Sequence, residues 1–414
     1  MKILYLNGAD IEGGAAQAAT RLLQGVHAQG ADARLYVQRK YGDASLVDGP
    51  RSLLGKVLGF ARPTIEQLLS GITPGTMQGP FCSASLPDGL LTQVSGASPD
   101  IIHLHWVARM MRLETLSCFT VPIVWTLHDS WAFTGGCYLP GDCTRYRDAC
   151  GACPVLGSVL EEDLSRRVWQ RKDKAWHGVN LTVIAPSRWM AACARSSSLF
   201  RDTRIEVIPN GIDVQCYKPV ARHAARERFL LPHDKKLILF GATSATQDRN
   251  KGFHLLAEAL QELAAMTKDA PVELVVFGSA ESDKLLDLGF KVHYLGWQSD
   301  DASLAHLYSA ADAFVLPSIQ ESLGYTVMEA MACGTPCVAF KQGGVPDLID
   351  HQRNGYLAQP YEPSDLARGI AWILEDGHRR EELSRNARQK IEHVYAIENV
   401  AQQHLALYSE LGAR

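Results

Sequence analysis

Short runs of apolar and β-branched residues recur along the chain, each followed by a longer segment whose apolar positions repeat at helical spacing. That alternation is the pattern of βαβ units wound around parallel sheets. In the first half it predicts strands near 2–6, 33–37, 100–104, 122–127, 181–186 and 205–209, with helices over about 15–29, 161–177 and 187–196. In the second half it predicts strands near 236–241, 272–278, 292–295, 313–316 and 337–340, with helices over about 252–266, 301–312, 325–333, 363–375 and 379–394. A second Rossmann-like unit starts after the loop Pro209-Asn210-Gly211-Ile212-Asp213, and the charged, proline-containing residues 214–234 read as a linker. A last helix over about 397–411 has apolar residues at 400, 405, 407, 408 and 411. The expected fold class is α/β, with two Rossmann-like domains at 1–213 and 214–396 and a terminal segment at 397–414.

The most informative stretch is Gln320 to Cys337, QESLGYTVMEAMACGTPC. The run Ala313–Leu316 before it, closed by Pro317, reads as a buried strand, and Cys337–Phe340 after it as the next. Between them Tyr325–Cys333 is rich in helix formers, with Gly334 at the expected C-cap. The loop and the helix start then lie at the carboxyl edge of a parallel sheet, where α/β proteins bind ligands. Backbone N–H groups around Leu323 to Thr326, including Gly324 and Tyr325, would face an anion. Glu321 falls in the loop and Glu329 one turn into the helix, where carboxylates accept hydrogen bonds from sugar or ribose hydroxyls. Two solvated glutamates around an ordinary helix start would give the same spacing.

The segment resembles the Glu-x7-Glu motif of the retaining family 4 glycosyltransferases, which have the GT-B fold. The usual form is close to EGFGLPVLEAMACGTPVVA, and here it stands as ESLGYTVMEAMACGTPCVA, with Leu323 for Phe and Tyr325-Thr326 for Leu-Pro. The resemblance covers nearly the whole chain. It implies two Rossmann-like domains facing across a cleft, with the terminal helix crossing back onto the N-terminal domain. It also implies a nucleotide-sugar donor and transfer to a hydroxyl acceptor without a catalytic metal or other required cofactor. Lys251-Gly252 matches the family's Lys-Gly, whose lysine neutralises the leaving nucleotide. The family's arginine after the first strand of this domain is replaced by Ala242-Thr243, and Arg249 is the nearest arginine. Gly278 ends the next strand, in VFGSAES, where a nucleotide can approach closely. Gly343-Gly344-Val345-Pro346-Asp347 is a turn, near the cleft in the family.

In the first half, Gly13-Gly14 follows the first strand and opens a helix, so a backbone can approach a phosphate there. The spacing is not the G-x-G-x-x-G dinucleotide fingerprint, which argues against NAD. His103, His105, Trp106 and Arg109 end one strand, and Thr126-Leu127-His128-Asp129 ends the next. By resemblance His128 is the histidine that contacts the donor sugar. Asp129 either orients His128 or caps the following turn, and capping is the expected role.

Cys137, Cys143, Cys150 and Cys153 fall within one loop, 135–154, ending in C-x-x-C. Four thiolates suit a structural zinc ion, with reduced thiols or a redox pair as the alternatives. Cysteine-containing loops after an HDxWAFTGGC stretch occur in a subgroup that resembles colanic-acid and other exopolysaccharide glycosyltransferases. Residues 51–72 form a basic amphipathic pattern broken at Pro63, suited to packing on the sheet or to an anionic membrane surface.

Composition narrows the rest. The chain has 414 residues, 46% apolar and 21% charged, which fits a two-domain globular protein. A net charge of −4 gives no sign of nucleic-acid binding. There is no leader-like start and no apolar run approaching a membrane span, so a cytoplasmic location is expected; packing of 51–72 on the sheet is the favoured reading, and contact with the inner face of the membrane through 51–72 is the alternative. The acceptor implied by resemblance is a glycan or lipid-linked glycan in surface polysaccharide synthesis. A GT-B phosphorylase or epimerase is a rival, but no motif singles out a cofactor-bearing lysine. A non-catalytic sugar-nucleotide sensor or assembly scaffold is the other; His128, Lys251, Glu321 and Glu329 together argue against it.

Overall fold

The structure is a computed structural model and describes residues 1–69, 79–241, 248–267, 271–278, 288–298 and 300–413. The chain divides into two compact units, Met1–Gly211 with Val400–Arg414, and Ile212–Asn399.

The first unit contains β1 (Lys2–Ala9), α1 (Gly14–Ala28), β2 (Asp32–Arg39), β3 (Val47–Asp48), α2 (Leu53–Leu69), α3 (Leu90–Ala97), β4 (Ile101–Leu104), β5 (Ile123–Thr126), α4 (Leu164–Trp176), β6 (Leu181–Ala185), α5 (Arg188–Ser196) and β7 (Arg204–Val207). Its strands form one parallel sheet in the order β3-β2-β1-β4-β5-β6-β7. Strands β4 and β5 are buried at every position, as a sheet covered on both faces requires. The order reverses between β1 and β4, so the loops after these two strands border the switch point.

The second unit contains α6 (Arg222–Arg228), β8 (Lys236–Gly241), α7 (Phe253–Met266), β9 (Val272–Phe277), β10 (Val292–Tyr294), α8 (Asp301–Ala310), β11 (Ala313–Leu316), α9 (Tyr325–Ala332), β12 (Cys337–Phe340), α10 (Val345–Leu348), β13 (Gly355–Ala358), α11 (Pro363–Glu375) and α12 (Gly377–Lys390). Its parallel sheet runs β10-β9-β8-β11-β12-β13, with the switch between β8 and β11. A final helix, α13 (Ile397–Gly412), packs on the first unit, where Val400, Ala401, Leu407, Tyr408 and Leu411 join the core around Ile3, Tyr5 and Leu35.

Two sequence expectations are corrected. Residues 214–234 are part of the second unit: Arg226 of α6 is buried and donates to the carbonyls of Ala310, Pro232, His233 and Lys235 and to Asp312. Charge suggested a solvated linker, but here it neutralises a buried carboxylate. Pro63 does not break α2 either, which runs through it. Proline there removes the hydrogen bond to the Gly59 carbonyl, and Gly59 packs against Gln38, where a Cβ would sit 2.8 Å from the Gln38 carbonyl. The short elements β3, α3 and β13 carry too little periodicity to be read from sequence.

Candidate functional site

In the second unit the switch point brings together the loops after β8 and β11. A turn of 3₁₀ helix at Arg249–Lys251 begins after Asp248, whose side chain accepts from Asn250 N. Gly252 follows with φ +70°, and a Cβ there would lie 1.9 Å from the Pro317 carbonyl. Only glycine permits that approach. Asn250 completes the stitching: its Nδ2 donates to Gln320 O at 3.0 Å, and its carbonyl accepts from Ile319 N at 2.8 Å. Lys251 Nζ consequently lies 2.9 Å from Glu321 Oε1, with both side chains largely covered. The carboxylate holds the Lys251 pKa above its ordinary value, so the ammonium is charged.

Glu321 is fixed by its own backbone. Its carbonyl accepts from Gly344 N at 2.9 Å, and Gly343, at φ +60°, passes so close that a Cβ would meet that carbonyl at 2.3 Å. Next comes α9, entered through Gly324 at φ +104° with no side-chain cap, so helix geometry leaves the first-turn N–H groups around Tyr325 and Thr326 without intrahelical acceptors. Glu329 lies further along, 4% exposed, and Tyr308 OH of α8 donates to its Oε2 at 3.0 Å. Gly278 closes β9 with φ +75°, its N–H bonded to Gly296 O. Arg249 is exposed, while Ala242-Thr243 lies outside the described residues. Sequence reasoning missed Tyr308, which reads as one more apolar position of a buried helix, and the clamping roles of Gly252 and Gly343.

In the first unit, Gly13 (φ +87°) starts α1 at the end of the β1 loop, and a Cβ there would meet nothing within 4 Å. Gly14 is the first helical residue. His105 follows β4 and His128 follows β5, and their facing ring nitrogens, His105 Nδ1 and His128 Nε2, are 2.9 Å apart. Burial pushes the His105 pKa well down and the His128 pKa down to about 4, so both rings are neutral. Asp129 takes the capping role, accepting from Trp131 N at 2.8 Å and from Trp106 Nε1 at 2.7 Å, and burial raises its pKa to about 6.

The loop after His128 leads into the cysteines. Cys137, Cys143, Cys150 and Cys153 are free thiols lining one cavity with Thr134, Tyr146 and Ser165. Gly135 N donates to Cys150 Sγ at 3.1 Å. Fully buried Lys172 of α4 bonds the carbonyls of Trp131 and Thr134 with its ammonium 3.9 Å above the Trp131 ring, and burial lowers its pKa to about 7. The donor set and the shared cavity suit a soft cation. The sulfurs are nevertheless spread: among the described residues, the group of three ligand atoms mutually within 4.8 Å is the exposed His223, Glu227 and His233.

Two doubly wound parallel sheets, one with a lysine–glutamate pair and an uncapped helix start at its switch point, are the architecture of GT-B glycosyltransferases. The chain belongs to the group 1, family 4 glycosyltransferases. The family description "Glycosyl transferases group 1" matches residues 221–390, and "Glycosyltransferase Family 4" matches 12–215. The chain is similar to D-inositol 3-phosphate glycosyltransferase 2 of Catenulispora acidiphila, 32% identical over 336 residues, 77% of this chain and 72% of that one. It also matches mannosylfructose-phosphate synthase of Agrobacterium fabrum, 34% identical over 221 residues, 49% and 47% of the two chains. In fold it resembles sucrose-phosphate synthase of Thermosynechococcus elongatus, with TM-score 0.70, 21% identity and full coverage of both chains. It likewise resembles Anabaena Alr3699/HepE solved with UDP and glucose, with TM-score 0.65, 21% identity and 99% coverage of each.

Proposed function

We propose that the chain transfers a sugar from a nucleotide-sugar to a hydroxyl acceptor with retention of configuration. The observation that carries this reading is the largely covered Lys251–Glu321 pair at the switch point, beside the uncapped start of α9. The largest electrostatic demand of such a transfer is the charge growing on the departing diphosphate. A covered ammonium and aligned N–H groups meet it without a divalent ion. Glu321 is assigned to the transferred sugar, Glu329 to the ribose, and Gly278 to close passage of the nucleotide. Gly13, Gly14 and His128, at the corresponding edge of the first unit's sheet, are assigned to the donor on the family resemblance. The Anabaena structure was solved with UDP, which makes uracil the first base to try.

The test is turnover with purified protein over UDP-, GDP- and ADP-sugars. Transfer with retained anomeric configuration is expected from one of them, in the presence of a chelator. Lys251→Ala should lower kcat/KM by roughly two to four orders of magnitude. Binding without product would favour the sensor reading, and undiminished activity in the variant would remove the phosphate assignment.

For the acceptor we propose a lipid-carried glycan used in surface polysaccharide synthesis. The support is α2, where Leu53, Leu54, Val57, Leu58 and Phe60 are exposed alongside Arg51 and Lys56. No helix among the described residues is long and apolar enough to cross a membrane, so contact would be peripheral. A small phosphorylated acceptor is the second reading, favoured by the names of the inositol-phosphate and mannosylfructose-phosphate relatives. Product formation from lipid-linked against phosphorylated soluble acceptors separates the two.

We also propose that Cys137, Cys143, Cys150 and Cys153 hold one structural zinc ion once the loop draws the sulfurs together. Buried Lys172 would offset part of the negative charge of four thiolates. Protein purified without added metal should contain about one zinc per chain, lost in Cys150→Ser; its absence, or native disulfides, would end the proposal.

A further inference from the structure

We infer that His105 is a positioning residue that fixes His128 in one neutral tautomer, so that His128 offers its free side as a hydrogen-bond donor, Nδ1–H, and not as a base. The inference deepens the assignment of His128 to the donor sugar and rests on it.

The protons on the facing ring nitrogens can be counted. His105 Nδ1 and His128 Nε2 face each other at 2.9 Å, and one of them must carry the hydrogen. His105 Nε2 is buried and has no partner among the described residues. If His128 Nε2 donated, His105 Nδ1 would accept, and the His105 proton would sit on Nε2 as a buried N–H with nothing to bond. If His105 Nδ1 donates, its Nε2 is only a bare lone pair. A buried donor left unbonded is the costlier of the two, as the rarity of orphaned N–H groups shows. Doubly protonated rings are disfavoured by the same burial that depresses both pKa values.

The same choice is forced one ring away. His404 Nδ1 lies 2.9 Å from Val400 O, which can only accept, so the proton is on Nδ1. Its Nε2 is then bare, and it too is buried and unpartnered. The pocket thus tolerates a bare imidazole nitrogen in a neighbouring histidine.

His105 is held firmly enough to impose its tautomer. Its N–H bonds Leu6 O at 2.9 Å, and its carbonyl accepts from Trp125 Nε1 at 3.1 Å. Its ring stacks on His103 at 4.4 Å between centroids. His103 is itself pinned, with Nδ1 on Tyr408 OH and Nε2 on Thr126 Oγ1. His128 Nε2 is committed to His105, and among the described residues its Nδ1 is neither hydrogen-bonded nor one of the buried unpartnered atoms. With the proton there, His128 can donate to a sugar hydroxyl oxygen but cannot take a proton from one.

The direct test is a two-bond ¹H–¹⁵N correlation spectrum of the full chain with ¹⁵N-labelled histidine, His128 being assigned by its loss in His128→Asn. The proton is expected on Nδ1, and a proton on Nε2 overturns the inference. Kinetics supply the second test. An asparagine amide stands near the Nδ1 position of histidine and a glutamine amide near Nε2. His128→Asn should therefore keep more turnover than His128→Gln, and His105→Asn more than His105→Leu, with the loss in kcat rather than in donor KM. The opposite order in both pairs counts against the inference. If His128→Ala loses no activity while the spectrum still shows Nδ1–H, the sugar-contact assignment fails and the tautomer stands.

Discussion

Lys251, Glu321, Glu329 and Tyr308 divide the work of the second unit at the scale of single side chains. Glu321 is paired with Lys251, whereas Glu329 is buried and held by the Tyr308 hydroxyl. Removing the charge of Glu321 frees Lys251 for phosphate, so Glu321→Gln should leave nucleoside diphosphate affinity equal or slightly higher while kcat falls. Glu329→Gln should weaken donor and free nucleotide alike. Tyr308→Phe removes one hydrogen bond that orients Glu329, an effect of about 1 kcal/mol, or several-fold in affinity. Calorimetry with nucleoside diphosphate decides: an equal loss in both glutamine variants contradicts the division, and no loss in any of the three puts the nucleotide elsewhere. The spacing of the two glutamates was legible because a helix start imposes it. Tyr308 was not, because a buried hydroxyl and a buried phenyl ring leave the same mark in a hydrophobic pattern.

Elements were readable where they are long and covered. β8, β9, β11 and β12 announce themselves because both faces of a parallel sheet are buried and the strands become largely apolar runs. The register of Lys251 against Glu321 was not readable, because it depends on Gly252 letting α7 approach the end of β11. In α2 the pattern was plain but its partner was not. Glu66 anchors it through Ser83 and the N–H groups of Ser85 and Leu86, and Arg62 bonds the carbonyls of Leu86 and Pro87, while Leu53, Leu54 and Leu68 are 79%, 69% and 73% exposed. An apolar face so exposed, beside Arg51 and Lys56, fits an anionic bilayer, each buried leucine contributing roughly 1.5–3 kcal/mol. The protein should co-sediment with vesicles containing anionic lipid, less at high salt, and Leu54→Glu with Leu58→Glu should abolish this while sparing turnover on a soluble acceptor. Binding that survives the double change would assign the face another role.

At the scale of the whole molecule the two ends of the chain meet in one polar seam inside the first unit. Tyr5 OH of β1 lies 3.0 Å from Tyr408 OH of α13, which bonds His103, and His103 stacks on His404 and His105. The apolar positions of the last helix were visible in sequence, but a seam built from elements 403 residues apart was not. Its physical consequence is a stability that depends on pH. Burial lowers the pKa of His103 and His105 well below 6.5 and takes those of His128 and His404 down to about 4. Between those values and 6.5 the unfolded chain binds more protons than the folded one, so stability is full above 6.5 and falls as pH drops toward 4. For His404 alone the depression corresponds to about 3 kcal/mol when fully expressed. Denaturant unfolding at pH 7, 6 and 5 should give a steadily falling midpoint. His404→Leu, which cannot take up the proton, should flatten that fall whatever it does to stability at pH 7. An unchanged slope in His404→Leu would mean that His404 is reached by water and titrates as it does in the unfolded chain.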